Sequence, residues 1–312
     1  MRVILLSLLL LVACNREPKF ETSTLFLMGT LVEITLPADK LSMVGEINDR
    51  MTALSNIITT DCDKISAGND VESSEITYRL IEKNKQHKEV TGNRFDIAAQ
   101  TLASLYGFPD GEFREPTQAE IDGAVEAIAT KEITLSTSDG RFYANAHGLK
   151  IDLGAYAKGW IVDNASNYLL SQGVTNFIIN AGGDLFASGS KNNVKWRLGI
   201  ADPDKKQAYI STVSLSDVAL ATSGTYERFF ITPKGERISH IFDATTGKSA
   251  SKYKSVSVIA KDTERADALS TIYFLLEEGE IARLCKADNA VVLIVTAKDV
   301  EKRYCGWERY EK

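Results

Sequence analysis

Short turns join strand-like segments directly to one another in this chain, and no other feature constrains its fold as much. Residues 133–137 and 141–145 alternate apolar and polar side chains around Asp139-Gly140, a pair typical of a two-residue hairpin turn. The segment NFIINAGGDLFASG (176–189) repeats the pattern around a double glycine. Parallel strands would need a helix between them, so we predict an α+β fold with mixed sheets and flanking helices.

The remaining segments fill in this α+β pattern. Helical spacing of apolar residues predicts helices over 40–58, 95–108, 117–129 and from 154 to Gly173. Strands are predicted over 24–37, over LKIDL, and in KWRLGIADP, YISTVSLSDVALATSG, SVSVIA and AVVLIVTA. The segment TTDCDKISAGND (59–70) is predicted to be a loop, because it is rich in Asp, Gly and Asn. Neither a repeat nor a low-complexity linker divides the chain, so we predict a single domain over 24–312, in one lobe or two.

The N-terminus has the pattern of an export signal. In MRVILLSLLLLVAC, one Arg precedes an apolar run of roughly half the ~20 residues that a spanning helix needs. LVAC also resembles the bacterial lipobox, in which cleavage precedes a cysteine that becomes lipid-modified; an ordinary signal peptide with a chance cysteine is the alternative. We therefore predict a signal peptide over 1–13, lipidation at Cys14, a lipid-anchored tether over 14–23, and a periplasmic location on the inner or outer membrane.

Charge and cysteine content exclude some functions. The formal net charge is −6 and no basic stripe is visible, which argues against nucleic acid as a partner. Beyond Cys14 the chain has Cys62, Cys285 and Cys305, an odd number that cannot form a full disulfide framework. Cys285 and Cys305 could pair, but their spacing does not establish it. The sequence has no CxxC motif and no Cys/His cluster, so it gives no reason to expect a zinc site.

Two glycine-containing turns are candidates for ligand binding. In DLGAYAKG (152–159) a strand is predicted to turn into a helix, where free N–H groups and Lys158 would suit a phosphate. A plain strand-to-helix turn explains this segment equally well, and Trp160-Ile161 rules out a Walker A motif. Gly182 and Gly183 either form a hairpin turn or let a ligand approach the backbone.

Two further segments, ATSGTYERFF and SHIFDATTGK, contain the densest polar cluster. A single histidine is usually structural, but one beside hydroxyls and an acid can act as a general base. A serine-hydrolase interpretation is weak because no Gly-x-Ser-x-Gly elbow occurs. The candidate residues of this cluster are Ser223, Gly224, His240, Asp243, Thr245, Thr246 and Gly247.

An acid and a hydroxyl lie one turn apart on a predicted helix. Asp267 and Thr271 in RADALSTIYFLL are four positions apart, so they share one helical face among apolar neighbours. Both are hard oxygen ligands of the kind that Mg²⁺ prefers. Taken alone, the pair fits an exposed polar face at least as well.

Taken together and in order, these motifs resemble the ApbE family, the FAD:protein FMN transferases. The resemblance covers residues 25 to 275 and is carried by FLMGT, FDIAAQTL with LYGF, IDLGAYAKG, NAGGDL, ATSG, SHIFDATTG and ADALST. It implies an α+β fold similar to the T-fold, with FAD in a cleft between two lobes. It also implies Mg²⁺ held by Asp267, Thr271 and the backbone carbonyl of Ala155.

The same resemblance assigns roles to residues of this sequence. Lys158 and His240 would be catalytic, the first neutralising the pyrophosphate of FAD and the second accepting the proton of a threonine on a partner protein. AMP would leave, and FMN would remain as a phosphoester. The implied FAD contacts are Met28, Asp96, Ala98, Asp152, Lys158, Gly182, Gly183, Ser223, Gly224, His240, Asp243 and Thr246.

Some positions depart from the family's usual pattern. Ala244 replaces a proline, Ala98 replaces a frequent threonine, and Thr60 lies near a position where an aromatic residue is common over the flavin. Family members differ in that loop between FMN transfer and FAD hydrolysis, so a Mg²⁺-dependent FAD pyrophosphatase is one alternative. A flavin-storage lipoprotein without turnover is another. The implied acceptors are subunits of membrane redox complexes, such as sodium-translocating NADH:quinone oxidoreductase.

Overall fold

A computed structural model describes residues 18–109, 111–205 and 207–311. The predicted signal peptide and Cys14 lie outside the described residues. The strands are β1 Phe20–Leu27, β2 Thr30–Pro37, β3 Val71–Ser73, β4 Thr134–Ser138, β5 Arg141–Asn145, β6 Phe177–Ala181, β7 Asp184–Ser188, β8 Trp196–Ala201, β9 Tyr209–Leu215, β10 Val218–Gly224, β11 Phe229–Ile231, β12 Arg237–Ser239, β13 Tyr253–Ala260, β14 Val291–Thr296 and β15 Glu301–Tyr304. The helices are α1 Val44–Ala67, α2 Glu75–Val90, α3 Gln100–Leu105, α4 Gln118–Thr130, α5 Gly154–Ser171, α6 Thr263–Phe274 and α7 Glu278–Ala287.

One large sheet organises the molecule. Its eight strands run in the order β1-β2-β6-β7-β10-β13-β14-β15, and smaller sheets are formed by β3-β5-β4, β8-β9 and β11-β12. Every strand pairing among the described residues is antiparallel. The α+β prediction is confirmed, since strands that follow one another along the chain pair as hairpins.

The two faces of this sheet bury different layers. Alternate residues of a strand point to opposite faces, so Ile179 packs in the core that includes α1, α5 and α6. Its neighbour Ile178 packs on the other face, in a core with Trp196 of β8, Val213 of β9 and Trp307. Helices α5 and α6 thus lie side by side on one face of the sheet, and the candidate site forms where they meet.

The hairpin predictions hold, with one addition at the N-terminus. β4 and β5 join at Asp139-Gly140, and β6 and β7 join at Gly182-Gly183, with positive φ at each of these four residues. The single strand predicted over 24–37 is wrong, because Met28 (φ 56°) and Gly29 (φ 71°) turn the chain between β1 and β2. β1 begins at Phe20, so residues 20–23, assigned to the tether, belong to the sheet.

Three other predictions of local structure are wrong. The loop predicted over 59–70 is mostly helix, because α1 continues to Ala67 and buries Asp61, Cys62 and Ile65. The strand predicted over LKIDL pairs with no strand in the described residues. The helix predicted over 95–108 is shorter: Asp96 caps a 3-10 turn over Ile97–Ala99, and α3 follows.

The prediction of a possible cysteine pair has a definite outcome. Cys285 of α7 and Cys305, which follows β15, form a disulfide, and Cys62 is a buried free thiol. Within residues 18–109, 111–205 and 207–311, no helix has the length and apolar character to cross a membrane.

Candidate functional site

Helices α5 and α6 approach each other closely at Gly159. A Cβ atom on Gly159 would lie 2.4 Å from the carbonyl oxygen of Thr263, so only glycine permits this distance. Asp163 of α5 then accepts hydrogen bonds from the backbone N–H groups of Thr263 and Glu264, each at 2.8 Å. These N–H groups have no partner inside α6, so Asp163 fixes the start of α6 against α5.

Asp267 is thereby placed against the first turns of α5. The residue is 2 % exposed; its Oδ2 accepts the Gly159 N–H at 2.9 Å, and its Oδ1 lies 3.3 Å from Lys158 Nζ. The alternative of an exposed polar face is therefore wrong for Asp267. A carboxylate buried this deeply needs compensating positive charge or donors.

Lys158 connects Asp267 to a second buried carboxylate. Its Nζ lies 2.6 Å from Oδ2 of Asp184, whose side chain is 4 % exposed, whereas the Lys158 side chain itself is 30 % exposed. Burial acts to lower the pKa of Lys158, but the charges of Asp184 and Asp267 outweigh it and raise the pKa. The ammonium therefore stays charged and faces a solvent-accessible space.

The predicted hydroxyl ligand belongs to a small chain of hydroxyls. Ser223 Oγ, at the end of β10, lies 3.1 Å from Thr271 Oγ1 and 2.7 Å from the Oγ of Ser270. Thr271 follows Asp267 by one turn of α6, as predicted from the sequence. Ala155 lies in the first turn of α5, three residues before Lys158.

The residues around Lys158 fit a hard divalent cation. Four carboxylates, Asp152, Asp184, Glu227 and Asp267, influence one another here, against the two cations Lys158 and Arg228. Enclosure by protein raises the pKa of Asp152, of Asp184 and of Glu227, the last to about 7. Added positive charge would relieve this excess. Across the described ranges no group of three or more His, Cys, Asp or Glu side chains could hold a metal, so hydroxyl and carbonyl ligands would be needed.

His240 follows β12 and lies close to the backbone of Arg228. Its Nδ1 is 3.3 Å from the Arg228 carbonyl oxygen, and its ring centroid is 6.4 Å from that of Phe108. Burial lowers the pKa of His240 to about 4, and the charges of Arg228 and Lys158 act in the same direction. The imidazole is therefore neutral near pH 7 and able to accept a proton.

The predicted glycines of the site differ in their packing. Gly182 is required by a neighbour, because a Cβ there would lie 2.2 Å from Thr30 Oγ1. A Cβ on Gly183 would meet nothing within 4 Å, although its N–H donates to Asn180 Oδ1 at 2.9 Å. A Cβ on Gly224 would lie 2.4 Å from the ring of Tyr226. Of the three, only Gly183 leaves space at the backbone.

Several predicted FAD contacts are occupied by the protein's own groups. Asp96 pairs with Lys88 at 2.6 Å and accepts the Ala98 N–H at 3.0 Å, and both Asp96 and Ala98 are buried. Asp243 Oδ1 accepts the backbone N–H of Thr245 at 2.8 Å, as in an Asx-turn, and Thr246 is exposed in the same turn. Their contacts with FAD stay predictions.

Met28 is half-buried, and Asp152 is exposed. Met28 occupies the β1–β2 turn, and its neighbour Gly29 lies near Arg228, whose Nη2 would be 3.3 Å from an added Cβ. Asp152 accepts the Gly154 N–H at 3.0 Å at the start of α5 and is exposed at its surface, although protein surrounds it. An exposed carboxylate at the start of α5 is accessible to a ligand.

Comparison with known proteins places the chain in a family. The model of the ApbE family matches residues 28–294. The chain belongs to the ApbE family. The FAD:protein FMN transferase of Vibrio cholerae is 28% identical over 95% of this chain and 93% of its own length.

Solved structures agree with this assignment. The ApbE protein of Thermotoga maritima superposes with a TM-score of 0.84 at 29% identity, over 94% of this chain and all of that one. The flavin transferase ApbE of Vibrio cholerae gives a TM-score of 0.79 at 25% identity, over 94% of this chain and 99% of that one. The predicted family resemblance and ApbE-like fold are confirmed.

Three charged residues of this ApbE-family site were missed from the sequence. Asp184 lies inside the motif NAGGDL, directly after its two glycines, and is the acid that begins the strand DLFAS. Glu227 and Arg228 follow ATSGTY directly and precede β11. An adjacent acid and base after a buried strand was the available signal.

A cavity of about 680 Å³ lies elsewhere in the molecule. It is lined by other residues of α5 and α6, among them Trp160, Asn164 and Arg265, and by part of α2. None of the predicted site residues lines it. The candidate site of this ApbE-family protein is instead formed around Lys158, whose side chain is partly exposed.

Proposed function

We propose that this protein is a Mg²⁺-dependent FAD:protein FMN transferase. It moves the FMN moiety of FAD to a threonine hydroxyl of a partner flavoprotein subunit and releases AMP. Membership of the ApbE family and the name of the Vibrio cholerae relative support the transferase activity. The observation that carries the proposal is the buried Asp267 carboxylate, 3.3 Å from the Lys158 ammonium and one turn from Thr271.

Asp267, Thr271 and the carbonyl of Ala155 would hold the metal. When bound, Mg²⁺ supplies Lewis-acid charge that stabilises the pyrophosphate oxygens of FAD. Lys158 adds a second positive charge, and its 30 % exposed side chain lets it reach a phosphate in the cleft. Asp152 is exposed, Gly183 leaves space at its backbone, and Met28 is half-buried in the β1–β2 turn; these three residues would contact the flavin nucleotide.

His240 would take the proton of the attacking hydroxyl. The threonine oxygen forms a bond to the FMN phosphorus, the bond between that phosphorus and the bridging oxygen breaks, and AMP leaves with the bridging oxygen. The proton passes to the neutral imidazole, whose pKa of about 4 leaves it unprotonated at neutral pH. The nucleophile comes from the partner, since the reaction is a transfer to a protein.

The same proposal places the protein outside the cytoplasm, on the periplasmic side of the inner or outer membrane. Cleavage before Cys14 and lipidation of that residue would provide the membrane anchor. The Cys285–Cys305 disulfide supports an oxidising compartment, where such bonds persist. Acceptors in that compartment would be subunits of membrane redox complexes, such as sodium-translocating NADH:quinone oxidoreductase, and no nucleic acid is involved.

A labelling assay tests the function. The mature protein is incubated with FAD, Mg²⁺ and a threonine-bearing acceptor, and the acceptor is weighed by mass spectrometry. A covalent gain of FMN is expected, and it should disappear with EDTA and in Asp267→Ala. Glu264→Ala is the matched control, because this acid lies on the same helix and pairs with Lys83 away from the site.

Other outcomes of the assay would replace the proposal. Release of FMN and AMP without labelling of the acceptor would identify an FAD pyrophosphatase, with water as the nucleophile. Intact bound FAD without turnover would identify a storage protein. Full labelling in Asp267→Ala would remove that residue from the metal site.

A further inference from the structure

Asp184 is the one deeply buried carboxylate of the cleft that no step of the proposed reaction uses. It opens β7 directly after the Gly182-Gly183 turn, and its Oδ2 lies 2.6 Å from Lys158 Nζ. The Asp184 carboxylate has no second hydrogen-bond or ion-pair partner among residues 18–109, 111–205 and 207–311. Its contacts therefore concern Lys158 alone.

The lysine lies between two acids but not equally. Nζ is 2.6 Å from Asp184 and 3.3 Å from Asp267, and a further 3.5 Å contact leads to the Gly154 carbonyl. A charge–charge interaction strengthens as the distance shortens, particularly where solvent is excluded. Asp184 is therefore the closer partner of the ammonium, and Lys158 neutralises Asp267 less completely than it neutralises Asp184.

We propose that Asp184 is a positioning residue that restrains the Lys158 ammonium, so that the Asp267 carboxylate remains available to a divalent cation. This inference rests on the proposed function, because it concerns the same metal position. Without Asp184, the ammonium would move onto Asp267, the other acid with which it forms an ion pair, and compete with the metal. Asp184 thus keeps the Lys158 ammonium and the divalent cation in two neighbouring positions, so that both positive charges are available to the reaction.

The competition can be measured without any turnover. Mn²⁺ is titrated into the native protein, Asp184→Asn, Lys158→Met and the double variant, and free Mn²⁺ is followed by electron paramagnetic resonance. We expect Asp184→Asn to weaken Mn²⁺ binding at least tenfold, since Lys158 then neutralises Asp267. Adding Lys158→Met should restore the affinity to within about threefold of the native protein, because the competitor is gone.

Controls separate positioning from general damage. Asp61→Asn replaces a buried acid of α1 whose carboxylate accepts the Ser74 N–H and hydroxyl and which pairs with neither Lys158 nor Asp267, so it should lower thermal stability without changing Mn²⁺ affinity. Asp184→Glu keeps the charge and should stay near native affinity. If Asp184→Asn does not fold, Asp184→Ser is used in its place, with the same expected loss of Mn²⁺ affinity and the same restoration by Lys158→Met.

Each other outcome overturns the inference. Native affinity in Asp184→Asn would show that Asp184 does not restrain the lysine. Loss that Lys158→Met fails to restore would make Asp184 a direct metal ligand instead. A native protein that binds no Mn²⁺ at all would instead refute the metal site of the proposed function.

Discussion

Replacing Gly159 by alanine tests whether the close contact of α5 and α6 builds the site. The added Cβ would lie 2.4 Å from Thr263 O and 2.7 Å from Glu264 Cα, and ordinary contacts begin at 3.4 Å. These neighbours are backbone atoms and cannot rotate away. The two helices would therefore have to separate by about 1 Å, the difference between 3.4 and 2.4 Å.

Two opposing effects set the size of the stability change. Alanine is a better helix former than glycine by about 1 kcal/mol. Overpacking of a tight core contact typically costs about 1–3 kcal/mol, and the upper end applies where backbone must move. We expect Gly159→Ala to lower the free energy of unfolding by about 1–2 kcal/mol net.

The effect on activity should exceed the effect on stability. The Gly159 N–H donates to Asp267 at 2.9 Å, and Lys158 precedes it, so separation of the helices displaces both charged groups. A misplacement of about 1 Å in a catalytic constellation can cost about 100-fold in rate. We expect FMN transfer to fall by about that factor and Mn²⁺ binding to weaken.

Gly123→Ala is the matched control in a urea denaturation experiment. Gly123 lies within α4, and a Cβ there would meet nothing within 4 Å. The same substitution should therefore raise the free energy of unfolding by about 0.5–1 kcal/mol and leave activity unchanged. A Gly159→Ala protein that behaves like this control would refute the claim that the contact at Gly159 positions the site.

Two further predictions concern the disulfide and His240. Replacing Cys285 and Cys305 by alanine should lower the free energy of unfolding by about 3 kcal/mol in urea denaturation, because the disulfide joins residues with a sequence separation of 20 and so closes a loop of moderate length. A reductant should lower the stability of the native protein by a similar amount and leave the stability of the variant unchanged. The His240 pKa of about 4 lies below its ordinary 6.5, so between these pH values His240 is protonated in the unfolded chain and neutral in the folded chain. The native protein should therefore lose stability relative to His240→Gln as the pH falls from 6.5 to 4, by no more than about 3 kcal/mol, and parallel pH curves would contradict this.

Patterns of neighbouring residues correctly predicted the elements that depend on neighbouring residues, namely hairpin turns and amphipathic helices. The turns at Asp139-Gly140 and Gly182-Gly183 contain residues that tolerate positive φ, and both hairpins form as predicted. The pair Asp267 and Thr271 required only helical periodicity. The first residue of the β1–β2 turn gives no local turn signal, because Met28 adopts a φ of 56°, which few residues other than Gly, Asn and Asp favour.

The missed extension of α1 depends on a distant residue. TTDCDKISAGND has the composition of a loop, yet Asp61 lies on the inward face of the helix. Its carboxylate accepts the Ser74 N–H at 2.9 Å and the Ser74 hydroxyl at 2.7 Å. A buried acid is tolerated where such donors satisfy it, and no window of sequence around Asp61 contains that information.

The strand predicted over LKIDL failed for a related reason. Its backbone N–H groups are satisfied, but not by a neighbouring strand: Lys150 donates to Thr101 Oγ1 at 2.9 Å, Ile151 to Ser66 Oγ at 3.0 Å, and Asp152 to the Ile97 carbonyl at 3.1 Å. Membership of a sheet is thus decided by which elements lie alongside the segment, and the local pattern does not contain that information.

The charge balance of the site is the property least accessible from the sequence. Lys158, Asp184 and Asp267 come from α5, β7 and α6, and the motifs that contain them are separated by many residues. Each motif by itself has a structural explanation, since a helix start, a hairpin turn and a polar helical face are all common. Only when the three motifs converge does one ammonium lie between two buried carboxylates. Burying two negative charges against a single positive charge lowers the stability of the fold unless a further cation binds. This free-energy cost is the physical reason to infer a cation site here, because a bound divalent ion would neutralise the excess negative charge and be held by it.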